Sequence, residues 1–378
     1  MPEHSRHYST SEQQMNISIV KVALIGCGRI AGHHCDSIAE TAGATLVAVC
    51  DLDFSKAVEY SEKYGVNAYS NYREMLKAHP DINTVAVITP SGMHYEHSKE
   101  ILENFNRNLI IEKPTFMNVG QLSEIFDIAE ERGLQIFPVF QNRYNKAVDR
   151  VKKGIELGEL GTLQIISVRV RWCRPQRYYD LAPWRGTFAL DGGALTNQGI
   201  HHIDLMRLFG GEVEKVSASM ATFGVDVEVE DTVVATVLFQ SGAVGTIEVT
   251  TAARFDDFEA SISLVGNKGL AQIGGKAVNE LEIYTPDGDA CAEFSEDFTG
   301  SVYGSGHKVL YSQITEYFDS GKSFSVDRAD NQKTIGFLNA IYLSDERSSW
   351  VTVSESEDSS RLGCMDTDLM DLYRTKDE

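Results

Sequence analysis

The stretch "ALIGCGRIAGHH", Ala23 to His34, decides how this chain is read. It closes an apolar run, "IVKVALIG", passes through a glycine-rich turn and continues as a helical pattern from Arg29 to Thr41. Gly26, Gly28 and Ala31 stand at the spacing G-x-G-x-x-A. The first glycine permits a tight turn, the second lets backbone approach a pyrophosphate, and the small third residue lets the helix pack closely on its strand. The helix N-terminus adds free N–H donors and the positive end of a dipole. Glycines alone often make only turns; strand, turn and helix in this order point to a dinucleotide site.

Outward from that turn the pattern alternates. "TLVAVCD", "INTVAVITP", "NLIIEKP" and "LQIFPVF" read as short apolar strands, and "FSKAVEYSEKYG", "HYEHSKEILENF" and "VGQLSEIFDIAEERG" as the helices between them. Such alternation implies βαβ units, right-handed crossovers and a doubly wound Rossmann sheet. After about Gly161 the texture changes. "TLQIISVRVRW", "EVEKVSASMATF", "DTVVATVLFQ", "AVGTIEVTTAAR" and "DFEASISLVG" alternate apolar and polar residues, as strands of an antiparallel sheet with one open face do. "NQGIHHIDLMRLFGG" interrupts them as a helix, and two late helical segments either return to the first domain or cover the sheet. The expected class is α/β: an N-terminal Rossmann doubly wound parallel sheet plus a C-terminal α/β domain with a large open, mainly antiparallel sheet. The expected divisions are a flexible extension (1–17), an NAD(P)-binding domain (18–145), a substrate and oligomerisation domain (146–353) and an acidic tail (354–378), mobile unless "MDLYR" docks.

Composition narrows the partners. With 34 Lys plus Arg against 55 Asp plus Glu the net charge is −21, which repels nucleic acid and anionic membranes. The six cysteines form no CxxC pair or disulfide-like spacing, as suits a reducing compartment. The first sixteen residues contain no apolar h-region, and no run approaches the roughly 20 apolar residues of a membrane span, so a cytoplasmic protein is expected. Half-solvated sheets often pair face to face, so a homodimer or homotetramer is expected too.

Asp51 ends the second strand, where a carboxylate can hold the adenosine ribose hydroxyls and repel a 2′-phosphate. NAD is therefore favoured over NADP, although Lys56 stands nearby; capping of the next helix is the alternative role for Asp51. Lys113 follows another apolar strand at its carboxyl end, where such sheets keep their ligands. In "GGALTNQGIHHID", Gly192 to Asp204, Asp191 and the two glycines read as a turn, and Asn197 as an N-cap or first-turn residue. Asn197 and His201, four apart, share a helix face, while His202 is rotated by roughly 100°. The two histidines then cannot easily serve one site, and no metal is expected. Asp204 either orients His201 or pairs with Arg207. Arg169, Arg171, Arg174, Arg177 and Arg185, interleaved with Trp172, Tyr178, Tyr179 and Trp184, offer forks for phosphate or carboxylate and faces for stacking. They could equally form a solvated strand face balanced by nearby acids.

"GCGRIAGHH", "VITPSGMHYEH", "IIEKP", "FQNRYNKAV" and "DGGALTNQGIHHIDLMRLFGG", in that order, resemble the glucose–fructose oxidoreductase/inositol dehydrogenase (Gfo/Idh/MocA) family from Ile19 to about Val353. The resemblance implies NAD(P)-dependent redox chemistry on sugars or cyclitols, with the family's lysine at Lys113 and its active-site histidine at His201. The residue four before that histidine is commonly Asp in the family but is Asn197 here, which puts a Lys–Asp–His arrangement in doubt. It further implies cofactor contacts from Gly26, Gly28, Arg29, Ile30, Asp51, Thr89, Pro90, His94, Glu112, Lys113 and Gln141. Substrate contacts are implied for Lys113, Arg143, Tyr144, Asn145, Arg174, Tyr179, Trp184, Arg185, Asn197, His201 and His307. "QNRYNKAV", "WRGTFALDGGALTNQGIHHIDL" and "YGSGHK" look most like the branch that oxidises C3 of UDP-N-acetylglucosamine-derived sugars. His201 is then the expected base, since an imidazole suits proton abstraction at neutral pH, and Lys113 the alkoxide stabiliser, with the reverse assignment open. An inositol or simple-sugar dehydrogenase, a ketosugar reductase, and a non-catalytic NAD-binding sensor are the competing readings.

Overall fold

The computed structural model describes residues 20–298, 304–355 and 357–376; the extension expected over 1–17 lies outside them. Six parallel strands, β1 (Val20–Ile25), β2 (Ala44–Cys50), β3 (Asn67–Tyr69), β4 (Thr84–Val87), β5 (Asn108–Ile111) and β6 (Ile136–Pro138), form a sheet in the order β3-β2-β1-β4-β5-β6. Helices α1 (Ala31–Glu40), α2 (Phe54–Tyr64), α3 (Tyr72–Ala78), α4 (His94–Glu100) and α5 (Val119–Glu131) make the crossovers. β1 and β4 are almost wholly buried, as strands covered on both faces must be. The edge strand β3 is too short for a periodic signature and was not anticipated.

After α6 (Lys146–Glu156) the chain builds an eight-stranded sheet, β13-β12-β11-β7-β10-β9-β8-β14. Its members are β7 (Leu163–Arg171), β8 (Val213–Ala221), β9 (Thr232–Phe239), β10 (Val244–Thr250), β11 (Glu259–Gly266), β12 (Leu270–Gly274), β13 (Glu280–Tyr284) and β14 (Val351–Thr352). Pairing is antiparallel except between β7 and β10. Along β7, Ile166, Val168 and Val170 are buried while Ile165 and Arg169 are exposed, so one face packs and the other stays open. Between β7 and β8 lie α7 (Gln176–Tyr179) and α8 (Ile200–Gly210), and α8 packs under β7. α9 (Ala290–Glu293), α10 (Gly306–Ser320) and α11 (Arg328–Arg347) follow β13. The late helices do both things expected of them: α10 packs on α1, and α11 covers β8 while touching α5.

The six cysteines are free thiols, and no helix among the described residues is long and apolar enough to cross a membrane. The acidic tail is not a loose extension. It forms α12 (Thr367–Asp371), buries Met370 against Met93, Ala189 and Leu190, and pairs Arg374 with Glu96 at 2.6 Å.

Candidate active site

A cavity of about 510 Å³ runs across the carboxyl ends of the parallel strands. At one end lie Asp51, Leu52, Asp53 and Lys56 after β2; Gly26, Gly28, Arg29 and Ile30 follow β1, Thr89 and Pro90 follow β4, Glu112 and Lys113 follow β5, and Gln141 follows β6. Ligands of doubly wound sheets bind along this edge. Every residue expected to touch the cofactor, His94 included, lines this cavity.

The phosphate turn has the shape its glycines imply. Gly26 has φ +101°, and a Cβ there would overlap the Ile88 carbonyl, whereas a Cβ on Gly28 would meet nothing within 4 Å. The turn is thus closed beneath and open above, which fits a dinucleotide pyrophosphate. Asp51 does not cap α2; Asp53 does, accepting from the Ser55 N–H, while Asp51 accepts the backbone N–H of Cys27 at 2.8 Å and of Asp53 at 2.9 Å. Lys56 lies 3.6 Å from Asp53, which balances its charge and leaves the Asp51 carboxylate to disfavour a 2′-phosphate.

At the other end Lys113 Nζ donates to the Asn197 backbone carbonyl at 2.7 Å and to Asn197 Oδ1 at 3.2 Å. Asn197 Nδ2 in turn donates to Asp191 Oδ1, and Asp191 Oδ2 accepts the Gly186 N–H at 2.8 Å. A buried carboxylate therefore stands behind the asparagine and reaches Lys113 through its amide. Asp191, read in sequence only as part of a turn, is the functional position most plainly missed; the "DGG" before the helix was its only signal. Burial lowers the Lys113 pKa, opposed by Glu112 and Asp191 and assisted by Arg185. Asp191 is pushed up by burial against the Gly186 and Asn197 hydrogen bonds.

Asn197 is not a cap. Residues Leu195–Gly199 form a π-helical turn that runs into α8. His201 Nε2 instead lies 3.2 Å from Gln141 Nε2, and its Nδ1 and the Gln141 Oε1 are buried without protein partners. Burial and then Lys113 hold the His201 imidazole well below its usual pKa, so it is neutral at pH 7. Gln141 lines the cavity and His201 does not, so His201 stands behind Gln141 as seen from the cavity. His202 is buried against Trp172 and faces away.

Glu112 Oε1 lies 3.0 Å from His34 Nε2 and 3.5 Å from His307 Nε2, and Oε2 accepts the Lys113 N–H at 3.0 Å. Burial alone would raise its pKa, but the two imidazoles hold it well below the usual range. These three side chains are the set whose spacing would suit a metal, and hydrogen bonding already accounts for the arrangement. His307 lies beneath Glu112 and is not among the residues that line the cavity.

Several other residues expected at the substrate are engaged with protein partners. Arg143 forms a buried fork on Asp204, with Nε–Oδ2 at 2.7 Å, and pairs with Asp330; Asp204 therefore orients Arg143 and not His201, and lies 4.0 Å from Arg207. Tyr144 bonds Gln313 and Ser325, Asn145 holds the Ala277 and Val278 carbonyls, and Tyr179 meets Thr251. Arg174 pairs with Asp257 at 2.7 Å, and Arg169 and Arg171 pair with Glu248 and Glu259 on the open sheet face. Of the cluster, Tyr178, Trp184 and Arg185 line the cavity. The Arg185 guanidinium sits 4.4 Å from the Tyr178 ring and 4.5 Å from the Trp184 ring and donates to Tyr178 Oη at 2.6 Å. Its Nε is buried without a partner, and among the described residues no carboxylate pairs with it.

Two family models and a set of known proteins match this chain. The sequence model "Oxidoreductase family, NAD-binding Rossmann fold" matches residues 20–140, and "GFO/IDH/MocA C-terminal domain" matches residues 148–272. The WlbA dehydrogenase of Bordetella pertussis, solved with NADH and UDP-GlcNAcA, superposes with a TM-score of 0.84 at 33% identity, over 89% of this chain and 98% of that one. Myo-inositol 2-dehydrogenase of Thermotoga maritima is 26% identical over 66% of this chain and 74% of its own length. D-glucoside 3-dehydrogenase of Escherichia coli is 28% identical over 68% and 78% respectively.

Proposed function

Because this chain belongs to the GFO/IDH/MocA oxidoreductases with an NAD-binding Rossmann fold, we propose that it oxidises the C3 hydroxyl of an anionic nucleotide sugar, UDP-N-acetylglucosaminuronate or UDP-N-acetylglucosamine. The enzyme is an NAD-dependent oxidoreductase acting on CH–OH groups, and bound NAD⁺ supplies the hydride acceptor. Residues 18–145 hold the dinucleotide and 146–353 supply the sugar side, with the open sheet face pairing copies into a dimer or tetramer. The neutral His201 imidazole takes the hydroxyl proton. Lys113, a cation fixed by both Asn197 oxygens, steadies the alkoxide as charge develops.

The observation that carries the anionic substrate is Arg185: a guanidinium held between two rings, unpaired in a chain of net charge −21, on the wall beside Lys113. A half-buried guanidinium with no carboxylate partner leaves its donors available to a phosphate or carboxylate of the ligand. The 33% identical WlbA supports the same choice. A simple-sugar or inositol dehydrogenase is the second reading, favoured by the two relatives at 26% and 28% identity. Thermal-shift titration with NAD plus UDP-sugars, free sugars or inositols separates them, followed by NADH formation. UDP-sugars should stabilise the chain and be oxidised; stabilisation and turnover with free sugars alone would refute the nucleotide-sugar reading.

A further inference from the structure

The C-terminal segment that follows α12 reaches the cavity: Leu372, Tyr373 and Thr375 line it beside Leu52, Tyr72 and His97, at the Asp51 end. It crosses the opening from one domain to the other. On the Rossmann side Arg374 grips Glu96 with Nη2 at 2.6 Å and Nε at 2.8 Å, and Arg73 Nη1 donates to the Thr375 carbonyl at 3.2 Å. On the other side Tyr373 and Trp184 pack against the cluster in which Met370 is buried with Ala189 and Leu190. The charge pattern changes at this point. Asp366, Asp368 and Asp371 precede the crossing, whereas the crossing itself, "LYRTK", carries only neutral and basic residues. The acids of the tail, Asp377 and Glu378 included, thus flank in sequence the residues that line the cavity and are absent among them.

We propose that residues 372–375 form one wall of the cofactor site, covering the adenosine half of the dinucleotide, with Tyr373 as the contact residue and Arg374 as the residue that positions the segment. Burying one ring of Tyr373 between the ligand and Trp184 excludes water from the adenosine pocket, and the paired Arg374–Glu96 fork lowers the entropy of holding it there. The inference rests on the dinucleotide and not on the sugar, so it stands or falls separately from the proposed substrate.

The test is fluorescence titration of the full-length protein, without sugar, using NADH and reduced nicotinamide mononucleotide, which lacks the adenosine half. Tyr373→Ala and Arg374→Ala should weaken NADH binding about tenfold while changing the mononucleotide less than twofold. Tyr373→Phe should fall between Tyr373→Ala and the wild type, and melting temperatures should stay within experimental error. Unchanged NADH affinity, equal losses for both ligands, or tighter NADH binding once the segment is released would each overturn the proposal, the last by showing that it occludes the site.

Discussion

Replacing Asp191 by asparagine removes one negative charge and almost no volume from behind Lys113. In either orientation the new amide presents its single oxygen to one of the two donors, Gly186 N–H or Asn197 Nδ2. It cannot present an acceptor to both, so Asn197 Nδ2 loses its partner or Gly186 does. Losing a buried hydrogen bond to a charged group costs about 1.5–3 kcal/mol. The Asn197 amide is then free to rotate, and with it goes the Oδ1 acceptor that holds Lys113 Nζ at 3.2 Å. If that loss falls on the transition state, kcat/KM drops roughly 10- to 150-fold. Stability should not follow. Burial raises the Asp191 pKa above its unfolded value, so its contribution is present at low pH and lost as pH rises through the folded pKa. The neutral variant should melt at or above the wild-type temperature at pH 8. The Asp191 charge also opposes the lowering of the Lys113 pKa, so its removal should shift the alkaline limb of log(kcat/KM) to lower pH. The assay is NADH formation against pH with the oxidised UDP-sugar, beside NADH titration and melting curves. A kcat/KM within threefold of wild type with an unmoved alkaline limb would refute the relay from Asp191 through Asn197 to Lys113.

Asn197→Asp installs the residue more common in the family but presses a second carboxylate on buried Asp191; the pair must share a proton, so the variant should melt lower than wild type at pH 8 and recover by pH 5. Glu230, buried with Oε1 bonded to the Leu195 N–H and Tyr342 Oη and Oε2 unpaired, has its pKa pushed up to about 8 by burial against those two bonds. Its folded pKa exceeds the unfolded value of 4.5, so its contribution is full below pH 4.5 and is lost as pH rises through about 8. Glu230→Gln should therefore gain on the wild type by up to about 4 kcal/mol between pH 5 and pH 9, read as a widening difference in melting temperature. Arg185→Ala should raise KM for an anionic UDP-sugar at least tenfold, whereas Arg174→Ala, whose guanidinium already pairs with Asp257, should change it less than twofold; equal effects would contradict the assignment.

What local chemistry sets was readable along the chain. Alternating apolar strands and helices specified the parallel sheet, and Gly26, Gly28 and Ala31 specified the turn, because periodicity and backbone freedom act over a few residues. Lys113 and Asp51 were placed by the same logic, since both follow strands whose carboxyl ends face the ligand edge. The partners of charged side chains were not readable. Arg143 was committed to Asp204 and Asp330, Arg174 to Asp257 and Arg171 to Glu248, each across at least 60 residues of chain. Five clustered arginines looked alike in sequence, and only folding, by bringing distant acids to Arg169, Arg171 and Arg174 and leaving Arg185 at the cavity without one, decided which could meet a substrate. The π turn at Leu195–Gly199, the carboxylate behind Asn197 and the tail across the cavity belong to the same class. Sequence alone determined a dinucleotide-binding oxidoreductase fold, because strands, turns and helices are chosen locally. Tertiary structure alone decided which charges remain unpaired in the cavity, because pairing is settled by distance in space and not by distance along the chain.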